Sequence, residues 1–275
     1  QLGVNQGDCV GVLSDNCPKW AISDMAILSL GGVTVPFYPT LPAEQIKFII
    51  QDSQTVVMIV ATSEQLRKVQ SIASDCPSLK KIICMADLSS VSDPLCLSFE
   101  AVYSDNDDSF SVVGNRSDLA TIVYTSGTTG NPKGVMLSHD NLLSNIEAVM
   151  QEVPITFNDV SLSFLPLSHI FERTCGHFGL VAVGATIYYA ESIDTVSQNI
   201  LECQPTILIS VPRLYQKIQA KVLGQLKGAK KPIFHWALGV GKDYEQAQQS
   251  GSPSFFLGFK RRIADRLVFS KVRAK

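Results

Sequence analysis

Short apolar runs alternate with helix-period segments along most of the chain, and this rhythm limits the fold more than any other feature of the sequence. A run of about four to six apolar residues is too short for a helix and long enough for a buried strand, while apolar residues three and four apart mark the covered stripe of a helix. Alternation of the two builds a largely parallel sheet, because each helix carries the chain back to begin the next strand. Residues 10–13, 33–36, 56–60 and 81–84 read as strands. Between them, Pro18 opens a helix that runs through Ile22, Met25, Ala26 and Leu30 to the Gly31-Gly32 stop. A Pro-flanked turn leads to a helix carrying Ile46, Ile49 and Ile50, and another covers 63–74. The expected class is α/β, doubly wound, with largely parallel sheets and helices on both faces.

Residues 86–118 interrupt the rhythm with a stretch rich in Ser, Asp and Asn, read as a surface excursion or a boundary between subdomains. Strands follow at 119–125, 135–137, 160–165, 185–189 and 207–210. Helices are expected at 141–150, with Ser138 or Asp140 as N-cap, over most of 169–183, and at 196–203, 213–223 and from 255 onward.

With 275 residues, 45% of them hydrophobic, the chain can bury at least one large core. Lys and Arg number 23 against 25 Asp and Glu, so no overall field draws it to nucleic acid, and no nucleic-acid partner is expected. Seven cysteines lie scattered without metal-ligand spacing, as reduced thiols of a cytoplasmic protein would. No signal or transit pattern opens the chain. The uncharged stretch 174–190 includes His177 and falls short of the roughly 20 apolar residues of a membrane span. The first residues form a turn directly before a strand and the last stop within a helical pattern, so residues 1–275 read as an incomplete domain.

The strongest local signal follows the 119–125 strand: Tyr124, Thr125, Ser126, Gly127, Thr128, Thr129, Gly130, Asn131, Pro132, Lys133 and Gly134. Gly127 and Gly130 let the backbone turn its N–H groups toward an anion, the hydroxyls add donors, and Lys133 adds a positive charge. Such a loop suits a polyphosphate. It is not the common nucleotide-binding P-loop, in which Lys follows Gly and precedes Ser or Thr.

This segment resembles the phosphate-binding signature of the adenylate-forming superfamily of acyl-CoA synthetases, adenylation domains and luciferases. The early region is similar too: Gly7, Asp8, Val10, Val12 and Asn16 follow one recurrent pattern, Gly31, Val33, Val35 and Pro36 another, and Asp52-Ser53 a third. Pro166-Leu167-Ser168-His169-Ile170-Phe171-Glu172-Arg173 is similar to the form typical of long-chain acyl-CoA synthetases. The segment beginning Val211-Pro212-Arg213 and the tail from Phe255 also resemble that branch.

The resemblance implies part of the large N-terminal (AMP-binding) domain of a ligase that joins a long-chain fatty acid to CoA. A carboxylate attacks the α-phosphorus of ATP, pyrophosphate leaves, and the thiol of CoA then displaces AMP from the acyl-adenylate. Residues 124–130, Lys133 and Gly134 would hold ATP, Thr125 would ligate Mg2+, and His169 would lie near the acyl carboxylate and α-phosphate as a catalytic residue beside Lys133. Residues 164–171 would line the acyl entrance and 184–188 border the tunnel. The adenine and ribose contacts, a second metal ligand and the mobile C-terminal domain are implied to lie beyond Lys275, which predicts no complete activity from these residues alone. Two alternatives share the fold: a ligase that passes the adenylate to a carrier protein, and a non-catalytic ATP-binding or interaction module.

Glu172 and Arg173 read as an ion pair that fixes their helix. Lys260, Arg261, Arg262, Arg266, Lys271, Arg273 and Lys275 face a single acid, Asp265, while Phe256, Phe259, Ile263 and Leu267 recur at helical steps. That basic amphipathic segment, 255–275, reads either as a solvated helix face or as peripheral contact with an anionic membrane.

Overall fold

All five residues of β1 (Cys9–Leu13) are buried, so this strand is covered on both faces. Cys9 and Leu13 point into one core with Ile46, Ile49, Ile50, Leu66 and Val69, which come from helices. Val10 and Val12 point into another with Trp20, Ile27 and Phe99. In this computed structural model, which describes residues 2–87, 93–103, 111–125, 131–226, 228 and 230–273, the period-two alternation of the strands is thus matched by helices on both sides.

The chain forms two compact units, Gln1–Ile209 and Ser210–Lys275. In the first, α1 (Pro18–Ser29) carries the chain from β1 to β2 (Val33–Phe37), and α2 (Ala43–Ser53) carries it to β3 (Val57–Val60). Next come α3 (Ser63–Gln70), β4 (Lys81–Cys84), β5 (Cys96–Ser98) and α4 (Phe99–Val102). Then β6 (Leu119–Thr125) and β7 (Lys133–Ser138) form a hairpin, followed by α5 (His139–Glu152). The strand order is β5-β4-β3-β1-β2-β6-β7, parallel throughout except for the antiparallel β6–β7 pair at the edge. Strands flank both sides of the polar stretch at 86–118 and enter this one sheet, so that stretch does not part the chain.

A second, two-stranded parallel sheet joins β8 (Val160–Ser163) to β9 (Thr186–Tyr189). The strand expected at 207–210 reduces to a single bridge from Ile207 to Ser161. Between β8 and β9 the helical segment widens into a π-helical run over Glu172–Phe178 before α6 (Gly179–Val183). Then comes α7 (Val196–Cys203).

The second unit is helical: α8 (Pro212–Gln225), α9 (Lys230–Gln249), α10 (Phe255–Ala264) and α11 (Ser270–Arg273). Its core contains Phe234, Ala237, Val240, Ala264 and Val268. The sequence reading did not include α9. Among the described residues no helix is long and apolar enough to cross a membrane.

Candidate functional site

The expected phosphate loop joins the last residue of β6 to the first of β7. Thr125 and Lys133 are register partners across that pair, and both are exposed, so a hydroxyl and an ammonium face each other at the mouth of the hairpin. Ser126, Gly127, Thr128, Thr129 and Gly130 lie outside the described residues. Because β1, β2 and β6 run parallel, Thr125 lies at the carboxyl edge of the sheet, the edge at which open α/β sheets hold ligands.

Tyr124 turns the other way. Its side chain packs in the core under the sheet, and its hydroxyl donates to the Asp52 carboxylate of α2 at 2.5 Å. Burial, and then the neighbouring carboxylate, push this phenol well above its ordinary range. The side chain therefore anchors the strand end, although the sequence reading placed it among the ATP contacts. Opposite it in register, Gly134 leaves room for the ring: a Cβ there would stand 3.1 Å from Tyr124 Cζ and 2.7 Å from Ile122 Cγ2.

The segment leading to His169 is held from β1. Asn16, three residues beyond the end of β1, donates through Nδ2 to the Leu165 carbonyl (2.7 Å) and to Ser163 Oγ (3.0 Å). Its Oδ1 accepts from the Leu167 amide at 2.9 Å. One side chain thus fixes both sides of Pro166, at the same edge of the sheet where Thr125 ends β6. His169 is exposed, and its Nδ1 accepts from the Phe171 amide at 3.3 Å, which leaves the proton of the neutral ring on Nε2.

The expected pair between Glu172 and Arg173 does not form. Neighbouring residues on a helix diverge by roughly a quarter turn and cannot face one another. Arg173 instead reaches Asp24 of α1, with Nε to Oδ2 at 2.8 Å and Nη2 to Oδ1 at 2.5 Å, and both side chains are fully buried. Its Nη1 donates to Thr121 Oγ1 at 2.7 Å, and the Thr121 hydroxyl donates to the Thr34 carbonyl at 2.6 Å. Glu172 lies buried on its own, accepting from Ser163 Oγ at 2.7 Å, with Oε2 unpartnered among the described residues. Burial pushes its carboxyl up to about 7. His177, buried beside Trp20, is pushed down by desolvation and stays neutral.

An apolar cavity of about 230 Å³ lies between α1, α4 and the sheet, against Ile27, Val57, Ile59, Ile83 and Phe99. None of Thr125, Lys133 and His169 lines it. It therefore does not correspond to the acyl entrance expected at 164–171.

The family described as AMP-binding enzyme matches residues 1–254. The chain belongs to that family. As an AMP-binding chain it is 35% identical to the peroxisomal long chain acyl-CoA synthetase 7 of Arabidopsis thaliana, with 99% of the chain and 39% of that relative covered. It is 32% identical to the long-chain-fatty-acid–CoA ligase FadD15 of Mycobacterium bovis, covering 99% of the chain and 46% of that ligase. The chain thus spans less than half the length of these curated relatives. Its fold is shared with the anthranilate CoA ligase AuaEII in complex with anthranoyl-AMP, with a TM-score of 0.69 and 25% identity over 75% of this chain and 40% of that one. The AMP-binding family and the fold therefore agree with the resemblance read from the motifs.

Within this AMP-binding fold, three residues that shape the site were not assigned from the sequence: Asn16, Asp24 and Asp52. Asn16 and Asp52 sit in the recurrent early patterns, which marked them without revealing their partners. Asp24 carried no signal, since an acid within an amphipathic helix ordinarily faces water.

Proposed function

We propose that this chain forms the phosphate-gripping and acyl-positioning part of a ligase that activates a long-chain fatty acid with ATP and transfers it to CoA. The observation that carries this reading is the Thr125–Lys133 pair, exposed at the mouth of a hairpin on the carboxyl edge of the sheet. In the first step a carboxylate oxygen bonds to the α-phosphorus and the bond to the β-phosphate oxygen breaks. Lys133 sits where charge builds on the departing pyrophosphate, and such reactions are accelerated mainly by alignment and charge neutralisation. His169, on the segment held by Asn16, orients the carboxylate. In the second step the CoA sulfur bonds to the acyl carbon and AMP leaves.

Thr125 fits a magnesium shell as a single exposed oxygen ligand. No group of three His, Cys, Asp or Glu side chains gathers to hold a metal among the described residues, so phosphate oxygens and water would supply the rest of the shell. Magnesium, when bound, supplies charge neutralisation on the phosphates.

Titration calorimetry of ATP and of pyrophosphate against wild type and Lys133→Ala tests the reading. Loss of the ammonium is expected to weaken both ligands about tenfold, roughly 1.4 kcal/mol. Equal affinities would remove the phosphate role of the loop.

A long acyl chain partitions into a lipid phase, and α10 supports a peripheral membrane contact by a cytoplasmic protein. Phe255 is 93% and Phe256 65% exposed, and Lys260 lies 4.8 Å from the Phe256 ring centroid, next to Arg261 and Arg262. Sedimentation with phosphatidylserine liposomes, compared with an Arg261→Glu/Arg262→Glu variant, checks this contact. Unchanged binding eliminates it.

A further inference from the structure

We propose that Arg173 is a positioning residue, holding the helical segment that follows His169 against the strand that ends at Thr125. The proposal rests on the ligase reading above, in which those two residues meet the same nucleotide from different elements. Arg173 touches both elements. Its own amide donates to the His169 carbonyl at 3.1 Å, four residues back along the helix. Its guanidinium donates to Thr121, four residues before Thr125 along β6, at 2.7 Å. The two bonds to Asp24 fix the plane of the guanidinium, and the rings of Trp20 and Phe178 stand 5.8 Å and 5.3 Å from it.

Stability alone does not account for this choice of residues. A fully buried ion pair replaces well-packed apolar side chains at little or no gain, because desolvation offsets the attraction. The pair does impose a single geometry, since a planar fork bonded on two sides cannot slide or rotate without losing bonds in a site that water does not reach. The lever is long. Four strand residues span about 13 Å, so a tilt of about 5° at Thr121 displaces Thr125 by about 1 Å. A misplacement of that size costs on the order of 100-fold in rate.

The test uses the full-length polypeptide carrying these 275 residues. An Arg173→Met/Asp24→Leu double variant removes both charges together and leaves neither unpaired. It is expected to keep its thermal midpoint and to bind pyrophosphate within about twofold of wild type, while kcat for pyrophosphate release from ATP and fatty acid falls about 100-fold. A folded double variant with wild-type kcat overturns the proposal.

If the double variant does not fold, Thr121→Val removes only the strand end of the link. It is expected to lower kcat about tenfold, with Thr121→Ser restoring it. Wild-type turnover by Thr121→Val overturns the proposal equally. A wild-type protein that releases no pyrophosphate removes the ligase reading and this proposal with it, whereas an active wild type with indifferent variants removes this proposal alone.

Discussion

The Tyr124 hydroxyl donates a 2.5 Å hydrogen bond to the Asp52 carboxylate, tying the last buried residue of β6 to the end of α2. Successive strand residues point to opposite faces, so anchoring Tyr124 inward commits Thr125 to the other side. The direction in which the proposed magnesium ligand points is thus set by a contact that involves neither metal nor nucleotide.

Tyr124→Phe keeps the ring and deletes that bond. Hydrogen bonds to charged groups contribute about 1.5–3 kcal/mol, and a destabilisation near the lower end is expected because Asp52 remains in contact with water. Urea unfolding measures it, and an unshifted midpoint would mean that the bond anchors nothing.

Gly134→Ala places a methyl 2.7 Å from Ile122 Cγ2 and 3.1 Å from Tyr124 Cζ. The Tyr124 ring is pinned by Asp52, so overpacking of about 1–3 kcal/mol is expected. Most of it should return in the Ile122→Ala background, because the clash has lost its nearer partner. Additive losses in the double-mutant cycle would show that the crowding lies elsewhere.

Asn16→Asp retains the oxygen that accepts from the Leu167 amide and exchanges the donor for a second oxygen, aimed at the Leu165 carbonyl and Ser163 Oγ. The segment carrying His169 should loosen. Amide exchange at Leu165 and at residues 167–169 is expected to accelerate at least about tenfold, the equivalent of roughly 1.4 kcal/mol of lost local stability. Exchange at the wild-type rate would show that the clamp is dispensable.

Glu172 gives the protein a pH dependence of defined sign. Its carboxyl is raised by burial from 4.5 to about 7, so the folded state holds the proton more tightly than the unfolded chain. The contribution is complete below about pH 4.5, declines as pH rises toward 7, and is gone above it. At 1.36 kcal/mol per unit the span is on the order of 3 kcal/mol. Stability curves of wild type and Glu172→Gln between pH 5 and 8 should differ in slope by this single group, and parallel curves would contradict the buried, unpaired state of Glu172.

The first four strands were legible because burial on both faces writes continuous apolar runs such as Val10–Leu13 into the sequence. Thr125 and Lys133 stood out in the sequence as members of one loop, but their register across the hairpin did not, because the apolar run that marks the second strand begins only at Val135, two residues after β7 does. Long-range partners were not. Arg173 meets an acid 149 residues away, while the adjacent Glu172, the natural guess, points elsewhere. The helix α9 escaped because it buries only Phe234, Ala237 and Val240, a thin stripe interrupted by Gly239 and Gly241. The strand β5 has only three residues inside a polar tract, too few for periodicity to register.

The antiparallel ladder of β6 and β7 runs as far as Thr125 and Lys133, which gives the connecting segment a fixed gate. Ring closure, ordinarily an entropic charge on any polypeptide that wraps an anion, has been met by sheet formation before a nucleotide arrives. A substitution that unzips the ladder would therefore weaken capture of the anion without touching a single group in contact with phosphate.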